Sequence, residues 1–316
     1  MLVLDTVLDK SLLGYTKLGA LARAIDINEA FHDVSGTHVM VTGATGGIGR
    51  ATVRRLAANG VVVHAVGRSK EKLDLLEAET DGTVVGYQVD LSSMEAIRHL
   101  ASEFRQRNHA LDGIVNNVGV MTHERIVTTE GFELSYAVNL LGQYVLVMNL
   151  LPALINSAPS RVVLVSSGGM YSQPLTVKNI QSSQGEYDGT AAYARTKRGQ
   201  VALAEHWAHA FASDGIRVNS MHPGWVDTDG VRDALPTFRR LTRPVLRSED
   251  QGADSIVWLM ASRDSGSVTG EFIHDRIPRA THRMNRTKIT DDTTDDLIAR
   301  LAADAAPYLA EQQNEI

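Results

Sequence analysis

Apolar and polar positions along this chain follow two alternating patterns. From His38 onward, short runs rich in β-branched residues alternate with longer stretches in which apolar residues recur every three or four positions. The runs are typical of strands buried on both faces, and the stretches of amphipathic helices. The predicted strands cover residues 38–41, 61–66, 84–89, 113–115, 161–165, 217–221 and 270–274. The predicted helices cover residues 48–59, 70–79, 94–107, 131–151, 192–211 and 249–261.

This alternation predicts the fold class. Strands that are each followed by a helix form a parallel sheet with helices on both faces. We therefore expect a doubly wound α/β domain of the Rossmann type over residues 36–280, with about seven strands. The 316 residues are compatible with one enlarged domain of this class.

Two segments flank this domain. Residues 1–35 are predicted to form an amphipathic helix that packs on the domain or on a second subunit, with peripheral membrane contact as the alternative. Residues 281–316 are predicted to form a tail and a helix over 291–313, capped by Thr290 or a neighbouring Asp. In the first segment, one helix face would carry Leu4, Val7, Leu8, Leu12, Tyr15, Leu18 and Ala22, and the opposite face Asp5, Asp9, Thr16 and Arg23.

Composition and charge exclude several functions. The net charge of −6 gives no basic surface for nucleic acid, and the absence of cysteine excludes disulfides, thiol nucleophiles and cysteine-ligated zinc. We expect a cytoplasmic protein, because the first residues lack the pattern of a secretory signal. The uncharged run 136–158 contains Asn139, Gln143, Asn149 and Pro152, which favours a buried helix over a membrane span.

A glycine-rich loop is predicted between the first strand and the first helix. Residues 42–49 read Thr-Gly-Ala-Thr-Gly-Gly-Ile-Gly. Glycines at such a position allow the backbone to approach a pyrophosphate, and the start of the helix offers it free N–H groups. A plain turn, the alternative, would not need four glycines in seven residues. The loop therefore predicts a dinucleotide site.

The end of the second strand favours NADP over NAD. An acidic residue usually binds the ribose 2′-hydroxyl of NAD here, but this chain has Arg68, which can pair with a 2′-phosphate. Arg50 is a weaker second candidate. Asp90, after the third strand, is suited to the adenine amino group, or else to capping the helix that follows.

Candidate catalytic residues follow from helix spacing and from strand ends. Tyr193 and Lys197 lie four residues apart and so share a helix face, where an ammonium group would lower the pKa of the phenol. Ser167 follows a predicted strand and can stabilise an oxygen that gains negative charge. Asn139 is a polar residue in an otherwise apolar helix, so its side chain needs a partner or a function.

Further strand ends point to the same crevice. Residues 116–119, Asn-Asn-Val-Gly, and residues 222–224, His-Pro-Gly, follow two other predicted strands. The carboxyl ends of parallel strands meet at one edge of a sheet, where ligands of this fold bind. Four strand ends are thus predicted to converge on one site.

Together these motifs resemble those of the short-chain dehydrogenase/reductase family over roughly residues 36–275. The glycine pattern matches residues 42–49, the Asn-Asn-Ala-Gly pattern matches residues 116–119 with Val118 in place of alanine, and the Pro-Gly turn matches residues 223–224. Ser167 precedes the tyrosine by 26 residues, about twice the usual gap, which points to a branch with an insertion before the catalytic helix, as in retinol-type reductases.

The resemblance implies an NAD(P)-dependent oxidoreductase that needs no metal. Ser167 and Tyr193 would hold the substrate oxygen, and Tyr193 would exchange the proton. Lys197 would bind the nicotinamide ribose, and Asn139 would hold a water linking Lys197 to solvent. The cofactor-binding residues predicted in this way, or from the motifs above, are Gly43, Thr45, Gly46, Gly47, Ile48, Gly49, Arg68, Asp90, Leu91, Asn117, Gly119, Tyr193, Lys197, Pro223, Gly224, Val226 and Thr228.

The substrate pocket is predicted to be apolar. We expect it to accept a lipophilic ketone, aldehyde or alcohol, under a mobile lid formed by residues 229–247. Homodimers or homotetramers, usual among such proteins, would pair through the helices 131–151 and 192–211. The predicted pocket walls are Val120, Met121, Met170, Tyr171, Trp225 and residues 231–238.

Two other functions remain open from the residues. A nucleotide-sugar epimerase would have a glycine pattern that residues 42–49 also satisfy, although the Asn116-Asn117 pair and the modest C-terminal region argue against it. A cofactor-sensing regulatory protein on the same fold would usually lack the Tyr and Lys that this chain retains.

Overall fold

The computed structural model describes residues 5, 8–9, 11–23, 25–27, 29, 31, 34–80, 82–228, 232 and 236–310. Its centre is an eight-stranded sheet in the order β3-β2-β1-β4-β5-β6-β7-β8. All neighbouring strands are parallel except β7 and β8. The strands are β1 (His38–Thr42), β2 (Val62–Gly67), β3 (Val84–Gln88), β4 (Gly113–Asn116), β5 (Arg161–Val165), β6 (Arg217–Met221), β7 (Phe272–His274) and β8 (Ile277–Pro278).

Helices cover both faces of the sheet. The described helices are α1 (Lys17–Ala22), α2 (Gly47–Ala58), α3 (Lys70–Ala78), α4 (Met94–Arg107), α5 (Leu134–Asn156), α6 (Gly189–Ala210), α7 (Pro236–Thr242), α8 (Glu249–Ala261) and α9 (Asp291–Ala305). One apolar core lies between the sheet and α4, α5, α6 and α9, and a second between the sheet and α2, α3 and α8. The predicted doubly wound α/β fold is confirmed.

Capping side chains define several helix starts where the sequence predicted them. Ser93 accepts a hydrogen bond from the Ala96 amide at the start of α4, and Ser248 forms a capping box with Gln251 at the start of α8. Thr290 caps α9 as predicted. The antiparallel strand β8 was not predicted, because two residues carry no detectable periodicity.

The apolar helix α5 is a core helix. It is long and apolar enough to cross a membrane, with a mean hydropathy of 1.7 in its most apolar window, but 78% of that window is buried inside the protein. The predicted buried helix is thus observed. Residues Ala137–Leu141 form a π-helical turn within it.

The predicted N-terminal amphipathic helix is confirmed only in part: Asp5, Leu8 and Asp9 are helical, but no single helix continues through the described residues from Ser11 onward. The chain forms a short 3₁₀ helix, Leu12–Tyr15, and then the six-residue α1. Leu18, expected on the buried face, is 48% exposed, whereas Thr16, expected on the polar face, is 2% exposed. Leu4 and Val7 lie outside the described residues.

Ion pairs explain this difference. The Arg23 guanidinium is buried and pairs with Asp5 at 2.7 Å and with Asp275 at 2.5 Å. Asp5 also pairs with Arg279 at 2.7 Å, and the pKa of its carboxyl is held well below the usual range by Arg279 and Arg23 against the opposing effect of burial. The segment is thus placed by charged contacts with the β7–β8 region, which helical periodicity cannot reveal.

The C-terminal helix α9 covers α5 and α6. Leu297 and Leu301 are fully buried in the core that contains both helices. The Tyr136 hydroxyl donates to Asp304 at 2.8 Å, and the Asn149 side chain donates to the carbonyl of Tyr308 at 3.0 Å. The faces of the helices predicted to pair two subunits are therefore covered within one chain. This leaves less of these helix surfaces available for pairing two subunits, and the pairing itself stays a prediction.

Candidate functional site

A cavity of about 510 Å³ opens at the carboxyl edge of the sheet, where β1, β4, β5 and β6 end. This is the edge at which ligands of open parallel sheets bind. Its lining comprises Gly43, Gly46, Gly47, Ile48, Gly49, Asn117, Val118, Gly119, Val120, Met121, Val165, Ser166, Ser167, Gly169, Ser172, Thr190, Tyr193, Ala194, Lys197, Pro223, Gly224, Trp225, Val226 and Thr228.

The glycine loop forms one end of the cavity. Gly43 and Gly47 have φ values of +65° and +54°, which favour glycine. A Cβ atom at Gly49 would lie 2.1 Å from the carbonyl oxygen of Gly43, so the first turn of α2 packs against the loop too closely for any side chain. At Gly46 no atom lies within 4 Å of such a Cβ. The loop thus presents bare backbone to the cavity.

Asn117 fixes this loop. Its side-chain amide donates to the carbonyl oxygens of Thr42 at 2.9 Å and Gly43 at 3.3 Å. The Thr42 hydroxyl in turn accepts from the backbone amides of Asn117 at 3.0 Å and Val118 at 3.1 Å. The ends of β1 and β4 are therefore joined by reciprocal hydrogen bonds.

The two serines after β5 have different environments. The buried Ser166 hydroxyl donates to the carbonyl oxygen of Lys197 at 2.7 Å, which attaches α6 to the strand end. Ser167 is half-buried, and its hydroxyl accepts from the Gly169 amide at 3.1 Å. Its hydroxyl also lies close enough to Tyr193 to lower the pKa of the tyrosine hydroxyl. Ser167, as predicted, is the serine that faces the tyrosine.

Tyr193 and Lys197 lie on the same face of α6. The Lys197 ammonium is 5.4 Å from the centroid of the Tyr193 ring, and it donates to the carbonyl oxygen of Val165 at 2.7 Å. Burial lowers the pKa of Lys197 to about 7. Its charge is therefore reduced near neutral pH.

The expected fall in the pKa of Tyr193 is not observed. Burial of the hydroxyl raises its pKa, and the opposing effect of the nearby Ser167 hydroxyl offsets this only in part. The sequence argument assumed a fully charged lysine close to the hydroxyl, but the lysine side chain is directed to the end of β5. The phenol is thus protonated at neutral pH.

Asn139 lies in the π-helical turn of α5 and is fully buried. Its side chain accepts from the Val120 amide at 2.8 Å and donates to the Val120 carbonyl at 2.9 Å. It also donates to the Thr196 hydroxyl at 3.1 Å. Asn139 therefore holds the Val118–Val120 wall beside Lys197 without lining the cavity itself.

Several predicted cofactor residues lie outside the cavity. Arg68 is exposed just after β2, next to the glycine loop, since a Cβ at Gly67 would lie 2.6 Å from Thr45. Asp90 accepts from the Ser92 amide at 3.0 Å in the turn before α4, whose cap is Ser93, so the alternative capping role is not observed. Leu91 is part of the core, and Arg50 pairs with Glu79 at 2.7 Å.

Two predicted substrate residues are wrong. Met170 is fully buried in a small cluster with Tyr171 and Phe272, and the Tyr171 hydroxyl donates to the carbonyl of Ala280 at 2.7 Å. The 3₁₀ helix Gly168–Ser172 directs these side chains inward, so that Ser172 lines the cavity instead. Of the predicted wall and lid, residues 229–231 and 233–235 lie outside the described residues.

Sequence reasoning missed several lining residues and one support. Ser172, Thr190 and Ala194 face the cavity, but nothing in their local sequence signals this. Arg247, expected in a mobile lid, is 1% exposed behind the cavity wall. An isolated charged residue in a polar stretch gives no sign of such burial.

The residues present fit a nicotinamide dinucleotide. The open glycine loop and the start of α2 can receive a pyrophosphate. Lys197 and Tyr193 line the same cavity, and so do the apolar residues Val226 and Ile48. In the described part of the chain, no group of three histidine or carboxylate side chains could hold a metal ion.

Comparisons with known proteins agree with this arrangement. A family model described as short chain dehydrogenase matches residues 37–237. The chain is 38% identical over 281 residues to human dehydrogenase/reductase SDR family member 12, covering 86% of this chain and 88% of that protein. It is 31% identical to mouse retinol dehydrogenase 14 (81% and 84% covered) and 34% identical to mouse polyprenol dehydrogenase (76% of each).

Solved structures share the fold. A Mycobacterium paratuberculosis protein described as putative and uncharacterized superposes with a TM-score of 0.72 at 22% identity, covering 87% of this chain and 96% of that one. A Beutenbergia cavernae protein described as a putative NAD(P)-dependent gluconate 5-dehydrogenase with bound NADP has a TM-score of 0.63 at 26% identity, with 76% and 95% covered.

Proposed function

Since the chain belongs to the short-chain dehydrogenase/reductase family and is an NAD(P)-dependent oxidoreductase, we propose that it reduces a lipophilic ketone or aldehyde to the alcohol, with NADPH as the preferred cofactor and Tyr193 as the proton donor. One observation carries this proposal. Ser167, which follows β5, meets Tyr193 and Lys197 of α6 in the same cavity as the glycine loop.

The side chains of the cavity suggest how the reaction proceeds. The Ser167 and Tyr193 hydroxyls are placed to donate hydrogen bonds to a carbonyl oxygen, which stabilises the charge that develops there. Tyr193 then transfers its proton to that oxygen. Because burial raises the pKa of Tyr193, the hydroxyl is protonated at neutral pH and can act as an acid, which favours reduction. A bound nicotinamide would supply the hydride.

Lys197 holds the other end of the reacting centre. Its ammonium, fixed by the Val165 carbonyl, retains donors for the hydroxyls of a nicotinamide ribose. With a pKa lowered to about 7, it can also exchange a proton near neutral pH. This makes Lys197 suited to reprotonating Tyr193 after each turnover.

The apolar walls support a lipophilic substrate. Met121, Val165 and Trp225 line the cavity near Tyr193. Two of the relatives named above are a retinol dehydrogenase and a polyprenol dehydrogenase, whose names indicate extended apolar alcohols. We therefore place long-chain and polycyclic carbonyls first among the candidate substrates.

Arg68 supports the preference for NADP. It is exposed beside the glycine loop, and it has no carboxylate partner within the part of the chain that the structure describes. A 2′-phosphate at this point would gain a charge-assisted hydrogen bond worth about 1.5–3 kcal/mol. We expect Arg68→Gln to weaken NADPH binding roughly 10- to 100-fold and to leave NADH binding unchanged. Equal affinities of the variant and the wild type for NADPH would refute this preference.

The function is tested by following NADPH consumption with decanal, 4-nitrobenzaldehyde, a steroid ketone and all-trans-retinal. Tyr193→Phe should lower the turnover of any accepted carbonyl by about 10²- to 10⁴-fold while the affinity for NADPH remains. Tyr308→Phe, at a partly buried tyrosine that does not line the cavity, is the control and should behave as the wild type. Undiminished turnover in Tyr193→Phe would exclude the proposed mechanism.

A further inference from the structure

One buried guanidinium joins the N-terminal segment to the rear of the active site. Arg247 is 1% exposed and forms a bidentate ion pair with Asp275, at 2.5 and 2.8 Å. Its remaining donors bind three consecutive carbonyl oxygens, those of Gly14 at 2.8 Å, Tyr15 at 3.1 Å and Thr16 at 3.2 Å. A single side chain therefore fixes the backbone position of Tyr15.

The partner carboxylate is itself held in a strained backbone. Asp275 and Arg276 have φ values of +54° and +61°, a region that residues with a Cβ seldom adopt. Asp275 is bound by Arg247 and Arg23, and Arg276 is bound by Asp254. Burial alone would raise the pKa of Asp275, but the two arginines outweigh it and lower the pKa to about 2. The turn thus presents a permanent negative charge to Arg247.

Arg247 also contacts the wall of the cavity directly. Its backbone amide donates to the Trp225 carbonyl at 2.7 Å, and the Trp225 amide donates to the Tyr15 carbonyl at 2.8 Å. A Cβ at Gly224, whose φ is +79°, would lie 2.5 Å from Arg247 Nε. The turn that lines the cavity with Pro223, Gly224 and Trp225 therefore rests on the guanidinium.

The Tyr15 ring fills the space between two parts of the active site. It packs edge-on against His222, with the centroids 4.9 Å apart, and at 5.9 Å from the Trp225 ring. A Cβ at Gly168 would lie 3.8 Å from the Tyr15 Cε2 atom and 3.9 Å from the His222 Cε1 atom, so the Tyr15 ring and His222 both lie next to this turn. Gly168 directly follows Ser167. One ring, 6% exposed, thus supports both the turn after the serine and the tryptophan wall.

We propose that Tyr15 is a positioning residue of the active site, which sets the substrate-side wall through Trp225 and the turn after Ser167, and that Arg247 holds it in place. The inference rests on the proposed carbonyl reduction. Removing the ring would open a space that Trp225 and the Ser167 turn can enter. Substrate binding should then weaken, while the glycine loop, which Tyr15 does not contact, should keep its affinity for NADPH.

The test compares Tyr15→Ala with Tyr15→Phe and with Tyr144→Ala, in the full-length protein. Tyr144 is equally buried, at 6%, but stacks on Trp207 in the core. For the carbonyl that the screen identifies, we expect Tyr15→Ala to raise KM about tenfold or more, with the Kd for NADPH unchanged within twofold. Tyr15→Phe should restore the wild-type KM, and Tyr144→Ala should lower thermal stability without changing KM.

Hydrogen exchange gives a second readout that needs no substrate. In the NADPH-bound protein, peptides covering 166–172 and 222–226 should exchange faster in Tyr15→Ala, but not in Tyr144→Ala. Unchanged KM and unchanged exchange in Tyr15→Ala would overturn the inference. If the wild type reduces none of the four carbonyls, the proposed function fails, and hydrogen exchange alone then decides the positioning role in the same way.

Discussion

The two sides of the active-site cavity are built differently. The cofactor side is formed largely by residues 42–49, between one strand and the next helix, and by Asn117 on the neighbouring strand. The substrate side depends on Tyr15, Gly168, Trp225, Arg247 and Asp275, which belong to five distant segments of the chain.

This difference shows what kind of interaction maintains each side. Backbone geometry and free N–H groups make the cofactor side, so glycine and helix position are sufficient to form it. A buried ion pair and packed rings make the substrate side, and neither exists before the distant segments meet. Breaking the buried ion pair on the substrate side should therefore lower the stability of the protein more than a change to the backbone of the glycine loop.

The largest effect on stability is expected from Arg247→Met. The variant would leave Asp275 buried without its bidentate partner and would remove one donor from each of three carbonyl oxygens. Breaking a buried pair in this way costs about 3–5 kcal/mol, which urea denaturation would measure. The matched control is Arg50→Met, which breaks an exposed pair with Glu79 and should cost less than about 1 kcal/mol. Similar losses of unfolding free energy in Arg247→Met and Arg50→Met would contradict the expected difference between the buried and the exposed ion pair.

A smaller effect, dependent on pH, is expected from Lys197→Met on the cofactor side. The pKa of Lys197 is lowered to about 7 by burial, so between pH 7 and about 10 the unfolded state binds more protons and wild-type stability rises with pH. Below pH 7 Lys197 is charged in both the folded and the unfolded protein, so the full free-energy cost of burying its charge remains. The stability advantage of the variant should therefore shrink by roughly 2–3 kcal/mol from pH 7 to pH 9.

Denaturation at several pH values would measure this change. Lys72→Met, on the exposed face of α3, is the control and should show a difference from the wild type that does not vary with pH. If the stability difference between Lys197→Met and the wild type stayed constant from pH 7 to pH 9, this would argue against a buried lysine that loses its charge near neutral pH.

Two glycines of the same loop should behave oppositely. Gly49→Ala would place a Cβ 2.1 Å from the Gly43 carbonyl and should lower stability by about 1–3 kcal/mol. Gly46→Ala meets no protein atom within 4 Å, so it should leave the melting temperature nearly unchanged and weaken NADPH binding. Calorimetry and a fluorescence titration would separate the two effects. A stability loss at Gly46 equal to that at Gly49 would show that the loop is not open to a ligand.

The smallest effect concerns His222 on the substrate side. Burial and the neighbouring His274 and Arg247 lower its pKa well below the usual value, and its Nδ1 accepts from the Gly224 amide at 3.2 Å. Below about pH 6.5 the unfolded state therefore binds the extra proton, and stability falls with acidification. His222→Asn keeps a hydrogen-bond acceptor at this position. Between pH 6 and pH 5, its free energy of unfolding should fall by about 1 kcal/mol less per pH unit than that of the wild type. The exposed His209→Asn should change nothing, and an unchanged slope in His222→Asn would disprove the assignment.

The parts of the site that the sequence predicted share a physical cause. Asn117, Ser167 and Tyr193 were found because each follows a strand or lies on a recognisable helix, and parallel strands bring their ends together. Met170 and Tyr171 were placed wrongly because a 3₁₀ turn, not a strand or an α-helix, decides which side chains face the cavity. The pKa of Tyr193 was expected to fall because spacing gives the distance to Lys197 but not the burial of either group.

By itself the sequence determined the order of strands and helices along the chain and the position of the glycine loop. It also determined that Ser167, Tyr193 and Lys197 meet at one edge of the sheet. These features are predictable because periodicity and the placement of strand ends are local properties. Only the tertiary structure decided that the N-terminal segment supports the active site, that α9 covers α5 and α6, and that Arg247 and Asp275 are buried together. Those features depend on charge pairing and the exclusion of water between segments, some more than 200 residues apart. A local sequence pattern cannot predict such contacts.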